Sequence, residues 1–138
     1  MTYKPQLGGI AHAGIRVHEL EPSRRFYELI GFDFVAGPVG PEPVAIMDHP
    51  SGACINLVLN AAAESQTNVL MDVPTKHPGY THIALYIDDV DQMAVYLESA
   101  GHPITEGPIT FPDGTRAIFV RDPDGNVVEF DEAPTPPT

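Results

Sequence analysis

The stretch HIALYIDDVDQMAVYLESAG, residues 82–101, decides how the chain is read. Its first residues alternate. His82, Ala84 and Tyr86 share one face of an extended strand, opposite Ile83, Leu85 and Ile87. From Val90 the period changes to that of a helix: Val90, Met93, Ala94, Leu97 and Ala100 form an apolar stripe. Asp89 is placed to cap its first turn and Gly101 to end its last. The stretch HAGIRVHELEPSRRFYELIG, residues 12–31, follows the same plan, with the same step of 19 residues from histidine to glycine. There His12, Gly14 and Arg16 oppose Ala13, Ile15 and Val17. A helix is expected over Pro22–Ile30, with Phe26, Leu29 and Ile30 on one face and Gly31 as its stop.

The repetition continues downstream. His49-Pro50-Ser51-Gly52 precedes a strand at Ala53–Leu59, and Asp122-Pro123-Asp124-Gly125 precedes another at Val127–Phe130. Four residues past each glycine stand Asn56 and Glu129. Further strands are expected at Gly9–Val17, Phe32–Ala36, Val44–Asp48, Tyr80–Ile87 and Arg116–Val120. Matching positions lie 70 residues apart in the strand–helix segments and 73 apart in the later turns, so the second copy holds a short insertion. The sequence therefore predicts a single α+β domain built from a duplicated βαβββ module, at about residues 8–60 and 79–132. A connection at 61–78 joins the copies, and a loose tail follows at 133–138. The two modules are expected to form one cupped mixed sheet with the helices outside.

Composition narrows the class of function. The chain has 138 residues, of which 43% are hydrophobic and 19% charged, the balance of an ordinary globular domain. No apolar run reaches the roughly 18 residues of a membrane span, and the first residues lack the pattern of a signal peptide. A soluble, cytoplasmic protein is expected. The single cysteine, Cys54, cannot build a disulfide framework or a cysteine-rich zinc site. Seven basic against nineteen acidic residues give a net charge of −12, which repels phosphate backbones and anionic lipid. Nucleic acid and membranes are excluded as partners on that ground, which leaves small molecules.

Strand parity collects the polar residues. Each strand has one strongly apolar face for the helices to cover, and the other faces carry His12, Asn56, His82 and Glu129. Related by a pseudo-twofold, the equivalent strands would bring these four together. A histidine alone on a strand is ordinarily a packed or surface residue. Two at equivalent repeat positions, with an acid on the matching strand, point instead to ligands. His12, His82 and Glu129 can supply three donors to Fe(II), Mn(II), Ni(II), Co(II) or Zn(II) and leave positions open for a substrate oxygen. The repeat also predicts similar losses from His12→Ala and His82→Ala.

The runs HAGIRV, FYELIGF, THIALYIDDV and RDPDGNVVEF resemble the vicinal oxygen chelate superfamily over nearly the whole chain. That superfamily includes glyoxalase I, the fosfomycin-resistance thiol transferases, methylmalonyl-CoA epimerase and the extradiol dioxygenases. The resemblance implies the paired-module fold, a homodimer, and a divalent ion held at the positions of His12, His82 and Glu129. Glyoxalase I usually has a second glutamate where this chain has Asn56, and an amide cannot accept the proton that such a carboxylate would. The basic residues that would clamp a phosphonate are not evident, and no residue matches the pocket histidine of the dioxygenases. The function expected is a divalent-metal-dependent lyase or isomerase acting on a small oxygenated molecule, with Glu129 catalytic. The alternatives are an Fe(II) ring-cleavage dioxygenase and a metal-free protein that binds an antibiotic or metabolite.

Four residues are assigned to substrate: Asn56, Arg16, Tyr86 and Cys54. Arg16 and Tyr86 lie farther along the ligand-bearing faces, where Arg16 suits a carboxylate. Cys54 reads as a packed thiol, since no histidine partner is apparent. His18 lies about 20 Å along the strand from His12, too far to share an ion. His49, His77 and His102 fall in turns and read as solvated. Tyr27 reads as helix packing.

Overall fold

The computed structural model describes residues 2–135. The chain divides into two compact units, Met1–Ala62 and Ala63–Thr138, and each contains one βαβββ module. In the first unit the order is β1 (Ala13–Arg16), α1 (Leu20–Leu29), β2 (Asp33–Val39), β3 (Val44–Asp48) and β4 (Cys54–Val58). In the second it is β5 (His82–Tyr86), α2 (Val90–Ser99), β6 (Glu106–Thr110), β7 (Arg116–Arg121) and β8 (Val127–Glu132). Each unit has a four-stranded mixed sheet, β1-β4-β3-β2 in one and β5-β8-β7-β6 in the other. β1 runs parallel to β4 and β5 parallel to β8, and the remaining pairs are antiparallel. The α+β duplication expected from the repeat is what the chain adopts.

Local chemistry accounts for the helices. Asp89 accepts a hydrogen bond from the Gln92 amide at 3.0 Å and caps α2, and Val90, Met93 and Leu97 are buried against β7 and β8. α1 begins two residues before the expected Pro22, so proline sits in its first turn. Its buried face is Ser23, Phe26 and Tyr27, and Tyr27 packs edge-on against Phe26 and Phe32. Tyr27 is a core residue, as read.

The repeat extends to hydrogen bonds in the turns that precede β4 and β8. Asp122 is buried, and its carboxylate accepts from the Asp124 and Asn126 amides at 2.9 and 2.8 Å. At the matching place His49 Nδ1 accepts from the Ser51 amide at 3.0 Å. A ring nitrogen here does the work of an aspartate oxygen. His49 also stacks edge-on against Phe32, with ring centroids 5.9 Å apart, so it is half-buried and not the solvated residue expected. His102 is likewise half-buried, whereas His77 is exposed as read. His18, also half-buried, meets the Ala62 carbonyl at 3.0 Å through Nε2.

Several elements differ from expectation. β1 starts at Ala13 and not Gly9, because pairing with β4 begins at Ile55. β2 runs on to Val39 through two irregularities flanking Ala36. β6, at Glu106–Thr110, has no counterpart among the expected strands. Both of these edge strands carry Gly-Pro, at Gly37-Pro38 and Gly107-Pro108, 70 residues apart, and both peptide bonds are cis. Proline lacks the amide that a central strand must donate, so such a segment suits a sheet edge. From Ala63 onward the connection belongs to the second unit. Asn68 donates to the Gly125 carbonyl at 3.0 Å, and Arg121 forms a two-pronged ion pair with Asp72 at 2.8 and 2.9 Å. Residues 133–135 of the expected loose tail are exposed and outside any element, and the last three residues lie outside those described.

Candidate metal and substrate site

In the second unit the parallel β5–β8 pair sets Ala84 beside Glu129, with His82 beside Val127 and Tyr86 beside Asp131. His82 and Glu129 meet across that step, with Nε2 3.1 Å from Oε1. Alternation decides which neighbours share the face. Val128 and Phe130 are buried on the helix side, whereas His82, Ala84 and Tyr86 are exposed on the other. β7 contributes Phe119 beside Glu129, and its ring stands edge-on to that of His82 with centroids 6.3 Å apart. An imidazole nitrogen and a carboxylate oxygen this close are two donors a divalent ion takes readily.

The carboxylate itself is unusual. Glu129 is only 8% exposed, and its pKa is pushed up from 4.5 to about 7. Burial is the larger cause, and the side chain of Asp131, two residues along the same face, is the second. Two ionised carboxylates cannot hydrogen-bond each other, so their contact becomes favourable only when one holds a proton. Asp131 Oδ1 is itself buried with no hydrogen-bond partner. Asp131 was not among the residues singled out from sequence. Its position at Glu129 plus two on a strand was the signal available.

The first unit has the same backbone arrangement with different side chains. Gly14 stands beside Asn56 as Ala84 stands beside Glu129, so Asn56 occupies Glu129's place in the register. His12 precedes Gly14 by two residues, as His82 precedes Ala84, and it is exposed. On the same face Arg16 donates to Asn60 Oδ1 at 2.9 Å and reaches Glu42 at 3.4 Å. Its guanidinium is thus held in place on the open face. Cys54 has its pKa pushed up to about 11, chiefly by a hydrogen bond to Asp48, then by burial and the charge of that same residue. A thiol so far from ionisation is a poor nucleophile, in keeping with its reading as a packed residue. Among the described residues no group of three or more His, Cys, Asp or Glu side chains is placed to hold an ion. The His82–Glu129 pair offers two donor atoms and is not a closed site.

Comparison with known proteins gives the family. The sequence pattern of the Glyoxalase/Bleomycin resistance protein/Dioxygenase superfamily matches residues 9–130. The chain belongs to that superfamily. Within this glyoxalase superfamily, a probable lactoylglutathione lyase of Vibrio cholerae is 30% identical over 129 residues, 88% of each chain. The lactoylglutathione lyase of Haemophilus influenzae is 28% identical over 130 residues, 89% of this chain and 91% of that one. Among solved structures, a glyoxalase family protein from Bacillus cereus superposes with a TM-score of 0.74 at 19% identity, covering 98% of this chain and all of the other. A glyoxalase/dioxygenase from Nostoc punctiforme gives 0.72 at 19% identity, over 97% of this chain and all of the other. These superpositions carry the fold. Among the described residues, no helix is long and apolar enough to cross a membrane.

Proposed function

We propose that this glyoxalase-superfamily protein is a divalent-metal-dependent enzyme of lyase or isomerase type, acting on a small molecule with adjacent oxygen atoms. The observation that carries the reading is the His82–Glu129 contact of 3.1 Å on neighbouring parallel strands. His82 and Glu129 would hold the ion together with His12, which the repeat makes equivalent to His82. When bound, the ion would act as a Lewis acid on the substrate's oxygens. Glu129 is the carboxylate positioned to accept and return a proton, since its buried environment already favours the protonated form. Asn56 can donate to or accept from a substrate oxygen but cannot carry that proton. Arg16, held by Asn60 and Glu42, faces the open side of its sheet and suits a carboxylate on the substrate; Tyr86 and Cys54 line the same kind of face.

The relatives named lactoylglutathione lyase favour lyase chemistry for this chain. We further propose a homodimer, for which sedimentation is the check. The central test is calorimetric titration with Fe(II), Mn(II), Ni(II), Co(II) and Zn(II). Wild type is expected to bind at least one ion, with affinity falling as pH drops through about 7, where Glu129 takes up a proton. His12→Ala, His82→Ala and Glu129→Gln should each weaken binding at least tenfold, and Asn56→Glu should strengthen it by adding an anionic donor. Equal, weak affinity in wild type and all four variants would sink the site. Oxygen uptake with a catechol on Fe(II)-loaded protein would move the assignment to a ring-cleavage dioxygenase. Ligand binding that survives His12→Ala in protein free of metal would move it to a sequestering protein.

A further inference from the structure

The second nitrogen of the His82 ring is also engaged. Nδ1 lies 2.8 Å from Thr81 Oγ1, while Nε2 lies 3.1 Å from Glu129 Oε1. Turning the ring over about its Cβ–Cγ bond would break both contacts. We propose that Thr81 is a positioning residue whose hydroxyl holds the His82 ring with Nε2 toward Glu129 and serves as the partner of Nδ1 in both neutral tautomers. With the proton on Nε2, that proton is turned toward the Glu129 carboxylate 3.1 Å away, and the Thr81 hydroxyl donates to the bare Nδ1. When Nε2 must offer its lone pair to an ion, it loses its proton, Nδ1 takes one up, and the Thr81 oxygen accepts from it. A hydroxyl both donates and accepts, which a backbone carbonyl or carboxylate in that place could not.

The repeat makes the device visible. Ala11 stands before His12 where Thr81 stands before His82, so the first histidine has no hydroxyl at the matching place. The two histidines that the repeat alone treats as equivalent thus differ in support. His82 is held in advance of any ligand and His12 lacks that support.

The statement about metal loading rests on the proposed function, whereas the statement about the metal-free ring does not, and the test separates them. Protein labelled with 15N-histidine is observed at pH 8, free of metal, through two-bond 1H–15N correlations. The wild-type His82 ring is expected with Nε2 protonated and Nδ1 bare, and with the two exchanged after Zn(II) is added. Thr81→Val and Thr81→Ala should show mixed tautomers without metal and bind Zn(II) at least tenfold more weakly against a competing chelator. Thr81→Ser should restore both. A wild-type ring with Nδ1 protonated before metal is added would overturn the proposal. So would Thr81→Val with wild-type spectra and wild-type affinity. If the wild type takes up no Zn(II), the metal reading fails, and the metal-free spectra of wild type and Thr81→Val still decide the positioning role.

Discussion

Two buried carboxylates, Glu129 and Asp122, differ in what surrounds them. Glu129 is buried beside a second carboxylate, and its ionised form is disfavoured for both reasons. Glu129→Gln keeps the shape and removes the charge. In metal-free protein at pH 8 it is expected to be more stable than wild type by on the order of 1–2 kcal/mol, read by urea unfolding, while its metal affinity falls. Gain of stability with loss of binding is the signature of a functional charge, since a structural one would show loss in both. Asp122 is the opposite case. Its carboxylate satisfies the Asp124 and Asn126 amides and the Asn126 side chain. Asp122→Ala is expected to cost about 2–3 kcal/mol, because part-buried donors lose their acceptor. His49→Ala removes fewer bonds from a more exposed turn and should cost about 1 kcal/mol by the same measurement.

At the scale of strands and helices, the two Gly-Pro steps do matching work. Gly37 has φ +124°, and a Cβ there would lie 2.4 Å from the Val44 carbonyl oxygen. Gly107 has φ +99°, and its Cβ would lie 2.6 Å from the Ala117 carbonyl oxygen. Both obstacles are backbone of the neighbouring strand and cannot swing aside. Gly37→Ala and Gly107→Ala are each expected to cost about 3 kcal/mol in thermal or urea unfolding. Gly52→Ala, with φ +98° but open space around it, should cost about 1 kcal/mol. The same step explains what the sequence left hidden. EGPIT at 106–110 is interrupted by Gly107-Pro108 and shows no alternation, so β6 leaves no periodic signal in the sequence. The offset of 70 from Gly37-Pro38 held the missing signal. The faces of β4 and β5, by contrast, were legible: Ile55 and Leu57 are buried, and His82, Ala84 and Tyr86 exposed, as alternation requires, whereas β8 is buried on both faces from Val127 to Phe130. Of the candidate site, His82 and Glu129 were legible because one repeat position fixed each. Thr81 and Asp131 were not, because their roles come from contacts to those residues and not from any periodic pattern.

Over the whole molecule, charge is arranged unevenly between the two units. In the second, Asp72 and Asp91 have pKa values lowered below 3.8 by hydrogen bonds from Arg121 and Arg116, and Asp113 is lowered by the amide and hydroxyl of Thr115. A carboxyl whose folded pKa lies below its unfolded one adds stability above the unfolded value, and that stability is lost as pH falls through the folded one. Stability is therefore expected to fall as pH drops below about 4. The triple variant Asp72→Asn, Asp91→Asn, Asp113→Asn should be less stable at neutral pH and show a shallower acid decline, followed by circular dichroism. A steepness equal to wild type would refute this account of the acid limb. The Gly-Pro steps have a consequence at this scale too. β2 and β6 are the outer strands of their sheets, and Val35 and Val39, both about half exposed, flank Gly37-Pro38. An apolar outer strand with a full row of amides invites another chain to zip onto it. A kinked segment with a missing donor offers no such ladder. The missing donor at Pro38 and Pro108 is therefore expected to weaken fibril-like stacking on β2 and β6, and Pro38→Ala and Pro108→Ala are expected to aggregate faster on heating, read by light scattering.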